Sequence, residues 1–121
     1  MTEHITQIER ELQNYEADLF NASTEYRQLA EDAARKRASY DVAYAQELLK
    51  LKSDSALKAT VPEKEAIAVV AVQGPLTNAR IAEALADGSK RHLSALQAIL
   101  SSVQTRSRLL TTEAGLTFRQ T

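Results

Sequence analysis

Nine apolar side chains near the start of the chain recur at alternating steps of three and four residues. They are Ile5, Ile8, Leu12, Tyr15, Leu19, Ala22, Tyr26, Leu29 and Ala33. This 3.5-residue repeat is typical of a helix whose apolar stripe faces another helix. A single helical hairpin is too thin to bury both of its faces, so a stripe this long predicts that copies of the chain complete the core for one another.

The composition favours long helices and excludes several classes of protein. The 121 residues include three glycines, two prolines and no cysteine, which excludes a disulfide scaffold and thiolate metal sites. No apolar run approaches the roughly 18 residues of a membrane span, and the acidic, periodic start is unlike a signal peptide. We therefore expect a protein of the cytoplasm, or of the host cytoplasm if a phage encodes it, with no membrane partner.

One elongated all-α domain is expected over residues 1–121, in the form of a long antiparallel helical hairpin that assembles as a coiled-coil-like homo-oligomer. Its predicted parts are a helix over 3–59, a turn at 60–62, a kinked second arm over 62–114 and a frayed tail at 115–121. Each boundary depends on a local signal in the sequence.

Thr60 and Glu63 form a capping box, which marks the end of one helix and the start of the next. Pro75 follows a glycine and removes a helical hydrogen bond, so a kink is expected near it. Gly88 is a second weak point in the second arm, either a glycine tolerated within the helix or a cap at which the helix restarts. Gly115 is expected to close the helix.

Charge is distributed unevenly along the chain. Residues 1–34 carry eight acids and two arginines, whereas residues 76–121 carry six bases and three acids. An antiparallel hairpin sets the acidic start (Glu9, Glu11, Glu16, Asp18) against the basic end (Arg106, Arg108), and places the triplet Arg35–Arg37 near Glu83 and Asp87. Since each surface pair is worth only about 0–1 kcal/mol, the charges decide direction and register rather than stability.

The chain offers little for catalysis. It has no glycine-rich phosphate loop and no cysteine nucleophile, and neither His4 nor His92 has a partner histidine at metal-ligand spacing. Its carboxylates lie on amphipathic helices, where most are solvated. We therefore expect a protein that is not an enzyme and uses no metal or cofactor.

Seven cations are the candidates for contact with nucleic acid: Arg35, Lys36, Arg37, Lys50, Lys52, Lys58 and Lys64. The last four gather around the predicted turn and could hold phosphates, with affinity that falls steeply with salt. Taken singly, each cation is as readily explained as part of a solvated helix face. Tyr40 and Tyr44, one turn apart between the two basic groups, either stack on bases or pack in the stripe, and packing is favoured.

Two segments resemble phage recombination mediators of the UvsY type. Residues 45–54, AQELLKLKSD, resemble the alanine- and lysine-rich helix that ends in a Lys-x-Lys/Arg pair, and residues 95–108, ALQAILSSVQTRSR, are similar to a late amphipathic helix of that family. The similarity to this family in the order of the segments extends over most of residues 25–115. The chain departs from the family in having few aromatic residues and an unusually regular acidic first helix.

The resemblance implies a homo-oligomer that binds single-stranded DNA and helps to load a recombinase onto DNA covered by a single-strand-binding protein. It assigns DNA contact to Lys50 and Lys52. The alternative is a non-catalytic structural or scaffolding coiled-coil protein without nucleic-acid binding. A heptad repeat and scattered lysines are compatible with either of the two functions.

Overall fold

A computed structural model describes residues 2–120, with side chains for residue 3 and residues 5–113. The chain is all-α, as predicted. Helix α1 covers Thr2–Ser53, α2 covers Val61–Ala71 and α3 covers Gln73–Gln120, with no strand among the described residues. No helix in this part of the chain is long and apolar enough to cross a membrane.

The fold consists of two compact units, each built on an antiparallel pairing of α1 with α3. Unit 1 contains the chain up to Tyr26 and from Ser89 onward, and unit 2 contains Arg27–Gly88. The expectation of a single domain stays a prediction.

In unit 1 the start of α1 packs against the end of α3. Glu11 contacts Arg106, at 3.2 Å, whereas Ala22, later in α1, shares a groove with Leu96, earlier in α3. The pairing is therefore antiparallel, and the expected contact between the acidic start and the basic end is confirmed for Glu11 and Arg106. The buried side chains of this unit are Ala22, Leu96, Leu100 and Val103.

Unit 2 has a core made largely of alanine. Ala33 clusters with Ala82 and Ala86, and Leu29 packs against them. Further buried side chains are Ala68, Val72, Leu76 and Ala79. Small side chains bring two helices close together but bury little apolar area, so this core contributes less hydrophobic stabilisation per residue than a leucine core would.

The 3-4 repeat correctly identifies the face of α1 that packs. All nine side chains of the predicted stripe are buried or half-buried, and so are its continuations at Tyr40, Tyr44, Leu48 and Leu51. The same holds for Leu93, Leu96, Leu100, Val103 and Leu110 on α3. The period therefore predicts the buried face of both long helices.

Helix α1 ends at Ser53, six residues before the predicted limit at residue 59. The Asp54 carboxylate accepts a hydrogen bond from the backbone N–H of Ala56, at 3.0 Å. In a continuing helix that N–H would donate to the carbonyl four residues earlier. The short polar side chain therefore competes with the helix and ends it, and the connection covers residues 54–60 rather than the predicted 60–62.

The capping box before α2 is confirmed. Thr60 Oγ1 accepts from the N–H of Glu63 at 3.3 Å, and Glu63 Oε2 accepts from the N–H of Thr60 at 3.4 Å. This exchange satisfies two backbone donors that a helix start leaves without partners.

The interruption predicted near Pro75 is a break at Val72, between α2 and α3. Pro75 has no N–H, so the carbonyl of Ala71 receives no helical hydrogen bond from it. Farther along, α3 continues through Gly88 and past Gly115 to Gln120. Gly88 is therefore a glycine tolerated within the helix, which is one of the two predicted alternatives. The predicted helix end at Gly115 is wrong, and residue 121 of the predicted tail lies outside the described residues.

Truncation of Val103, which is 2 % exposed, should destabilise the fold. Val103→Ala removes buried apolar atoms worth about 0.8 kcal/mol per CH₂ and leaves a cavity, so we expect a loss of about 2 kcal/mol in the free energy of unfolding. Val70→Ala is the matched control because Val70 is 70 % exposed, and it should change stability by less than about 0.5 kcal/mol. Equal losses in urea titrations followed by circular dichroism would contradict this packing.

Candidate nucleic-acid interface

Four of the predicted cations lie around the connection between α1 and α2, all within unit 2. Lys50 and Lys52 are in the last turn of α1, Lys58 is in the connection, and Lys64 is in the first turns of α2. The first three are exposed, and Lys64 is half-buried. Lysines in the last turn of a helix also interact favourably with its dipole.

Nearby acids partly offset these lysines. Lys50 Nζ lies 3.8 Å from Glu47 Oε2, too far for a strong hydrogen bond. No ion pair involves Lys52, Lys58 or Lys64 within the described part of the chain. These three ammonium groups are therefore the cations of this region that a phosphate could engage without displacing a described partner.

Two acids in the same region interact with the backbone. Asp54 caps the N–H of Ala56, and Glu63 completes the capping box with Thr60. Their carboxylates therefore shape the connection that holds Lys58 between the two helices. Because they keep their charge, they still lower the local positive potential.

The basic triplet does not form one cationic surface. Arg35 is exposed and lines a shallow groove with Val42, Lys36 pairs with Asp32 at 3.0 Å, and Arg37 pairs with Glu83. Successive residues of a helix point about 100° apart, so three consecutive cations face different directions. Of the triplet, only Arg35 has no ion pair within the described residues.

Arg37 is held by a bidentate interaction. Its Nε donates to Glu83 Oε1 at 2.7 Å, and its Nη2 donates to Oε2 at 3.1 Å. These hydrogen bonds lower the pKa of Glu83 and raise the pKa of Arg37. The guanidinium carbon also lies 5.5 Å from the ring centre of Tyr40. The contact with Glu83, expected from the charge pattern, is confirmed, and it occupies the Nε–Nη2 edge of the guanidinium, through which arginine can bind a phosphate.

Tyr40 and Tyr44 are half-buried on the inner stripe of α1. Their ring centres are 6.1 Å apart and the ring planes are tilted by 32°. Arg37 and Tyr44 thus both contact Tyr40, which leaves it little free surface for a base. This arrangement favours packing over stacking.

The sequence reasoning missed a second set of apolar side chains that are exposed in unit 2. They are Val42, Leu49, Val61, Ile67, Val70, Ile81 and Leu85. A signal was present, because Val42 and Leu49 are seven residues apart and so repeat on one face of α1, away from the packed stripe. No cluster of three or more His, Asp or Glu side chains that could hold a metal ion occurs within the described residues.

No family model matches the chain, and neither a curated protein nor a solved structure matches it. The similarity to UvsY-type mediators therefore stays a prediction. It depends on residues 45–54, which end one residue beyond α1, and on residues 95–108, which lie in α3.

Replacement of Glu83 should change how stability depends on pH. A carboxylate with a lowered pKa stabilises the fold above its ordinary pKa, and this stability is lost as the pH falls through the lowered value. We expect the unfolding free energy of the wild-type chain to decrease more than that of Glu83→Gln between about pH 6 and about pH 3.

Glu65→Gln is the control for that titration, because Glu65 is exposed and has no ion pair among the described residues. Its acid dependence should match that of the wild-type chain. If Glu83→Gln also follows the wild-type curve, the Arg37–Glu83 pair contributes nothing to stability.

Proposed function

We propose that this chain is a non-catalytic, self-assembling protein that binds single-stranded DNA through the lysines around the α1–α2 connection. The observation that carries this proposal is that Lys52, Lys58 and Lys64 have no ion pair within the described residues although they lie around one short connection. A lysine that is not paired can engage a phosphate without first losing an intramolecular contact.

Assembly would strengthen such binding. A few lysines per chain give weak contact with phosphates, but a homo-oligomer presents several such groups to one strand at high effective concentration. The resemblance to UvsY-type mediators supplies the biological role in this proposal, which is to help load a recombinase onto DNA covered by a single-strand-binding protein.

Two predicted contacts have less support than the others. Arg37 and Lys36 have intramolecular partners at 2.7 and 3.0 Å, which a phosphate would have to displace. Lys50 has only the long contact with Glu47. The contact that we propose therefore centres on Lys52, Lys58 and Lys64, with Lys50 and Arg35 at its margin.

A scaffolding protein without nucleic-acid binding is the second candidate. It is favoured by the exposed apolar side chains of unit 2, among them Val42, Leu49 and Val70. The acids Glu47, Asp54, Glu63 and Glu65 also equal the four lysines of the same region in number, which weakens long-range attraction of a polyanion.

Charge reversal at two lysines tests the DNA-binding proposal. In fluorescence-anisotropy titrations with an unstructured single-stranded oligonucleotide, Lys52→Glu with Lys58→Glu should weaken binding at least about tenfold at low salt. The negative slope of log affinity against log salt should become shallower by about 1.4, because each lost phosphate contact removes about 0.7 on single strands.

The control carries the same change in net charge at a distance from the connection. Arg10→Glu with Arg27→Glu alters two exposed arginines of α1 and should reduce affinity by less than about threefold, through the long-range potential alone. Equal effects of the two variants would contradict a site at the connection. Absence of salt-dependent binding by the wild-type chain would support the scaffold instead.

A further inference from the structure

Three large apolar side chains of unit 1 are exposed on its helices. Phe20 of α1 is 72 % exposed, and on α3 Leu109 is 60 % and Ile99 is 41 % exposed. An isolated exposed apolar side chain needs no explanation. Phe20 and Leu109 differ because each shares a side of its helix with charged residues, and the two helix portions carry net charges of opposite sign.

The two helices of unit 1 carry opposite charge. The α1 portion, up to residue 26, has six acids and one base, and the α3 portion, from residue 89, has five bases and one acid. Glu11 and Arg106 neutralise each other at 3.2 Å. Most of the remaining charges face solvent, which leaves two oppositely charged surfaces on one molecule.

We define the acidic surface as Phe20 with the exposed residues Glu9 and Glu16, which share one side of α1 because they precede Phe20 by 11 and 4 residues. The basic surface is Leu109 with the exposed residues Lys90, Arg91 and Arg108 of α3. None of these five charged side chains has an ion pair within the described residues. Both surfaces therefore combine charges available for pairing with apolar area that water now covers.

We propose that the acidic surface of one copy of this chain binds the basic surface of a second copy. The complementary charges select the partner and its orientation, and burial of Phe20 and Leu109 supplies the hydrophobic contribution. The inference rests on the self-assembly in the proposed function and deepens it, because it names the two surfaces that meet.

The two surfaces differ, so the contact is heterologous: each added copy leaves one acidic and one basic surface free. Repetition gives a closed ring if the rotation between copies closes, and an open filament if it does not. A two-fold contact of either surface with the same surface of a second copy would instead place like charges together, which is unfavourable.

A polyanion could also bind the basic surface, but a second copy is favoured over it. Nucleic acid would leave the acidic surface unmatched and Phe20 exposed, whereas a second copy matches both surfaces at once. The short distance along α1 from Glu16 to Phe20, one helical turn, places charge and apolar area within the footprint of one docking helix.

Reciprocal charge swaps test this arrangement. The acid-swap variant carries Glu9→Lys and Glu16→Lys, and the base-swap variant carries Arg91→Glu and Arg108→Glu. In sedimentation velocity at a concentration at which the wild-type chain assembles, each variant alone should sediment as single chains, because its two surfaces then carry the same sign.

An equimolar mixture of the two variants should assemble again. The altered α1 of the acid-swap chain fits the altered α3 of the base-swap chain, and the unaltered surfaces fit each other. If the charges matched only within a chain, mixing would restore nothing, so a mixture that stays dissociated overturns the inference. Assembly of either variant alone to the wild-type extent overturns it too.

Glu31→Lys with Glu65→Lys is the matched control, since both acids are exposed and belong to unit 2. It should assemble as the wild-type chain does. Circular dichroism verifies that each variant is helical. If a reversal prevents folding, Glu9→Gln with Glu16→Gln should fold and raise the dissociation constant at least about threefold, and an unchanged constant would overturn the inference.

Single-stranded DNA in the same experiments separates this inference from the proposed function. If the swap variants lose assembly but their single chains still bind DNA through the lysines, the result supports the interface. A base swap that abolishes DNA binding while the wild-type chain stays monomeric would assign the basic surface to nucleic acid and overturn the interface. If the two swap variants assemble only when mixed and the assembly binds no DNA, the result would contradict the proposed function and leave the interface intact.

Discussion

The packing of one apolar stripe of α1 against one apolar stripe of α3 is the interaction on which the rest of the structure depends. Most of the stability of a helix within a protein comes from the packing of its apolar face rather than from its own hydrogen bonds. Burial of the stripes supplies the missing free energy, through Leu96, Leu100 and Val103 in unit 1 and through Ala33, Ala82 and Ala86 in unit 2. Once the stripes meet, the positions beside them are fixed, and Glu11 reaches Arg106 while Arg37 reaches Glu83.

Two thin units explain why so much of the chain remains available to partners. A pairing of two helices buries one face of each and leaves the other faces in water. Large apolar side chains on those outer faces, Phe20 and Leu49 among them, are 72 % and 68 % exposed. The proposed assembly of copies gives Phe20 a contact.

Cations of similar appearance in the sequence have different surroundings in the fold. Arg37 is bound by Glu83 and lies against Tyr40, Lys36 pairs within its own helix, and Lys52 and Lys58 have no ion pair within the described residues. A run of basic residues on a helix therefore does not act as one group, because its members point in different directions. The lysines at a helix end and in a connection are less constrained, which is why the DNA-binding proposal centres on them.

The sequence by itself determined the all-α class, the buried face of each long helix, the capping box at Thr60 and the antiparallel direction, because period and charge sign are properties of local spacing. It did not determine where α1 ends, since the competing hydrogen bond from Ala56 to Asp54 appears only when that turn forms. Nor did it show that Gly88 lies inside a continuous helix. Packing of the residues before and after Gly88 outweighs the low helix propensity of this one glycine. Only the tertiary structure decided which cations are paired and which apolar side chains stay exposed, because both depend on what the opposite helix places beside them.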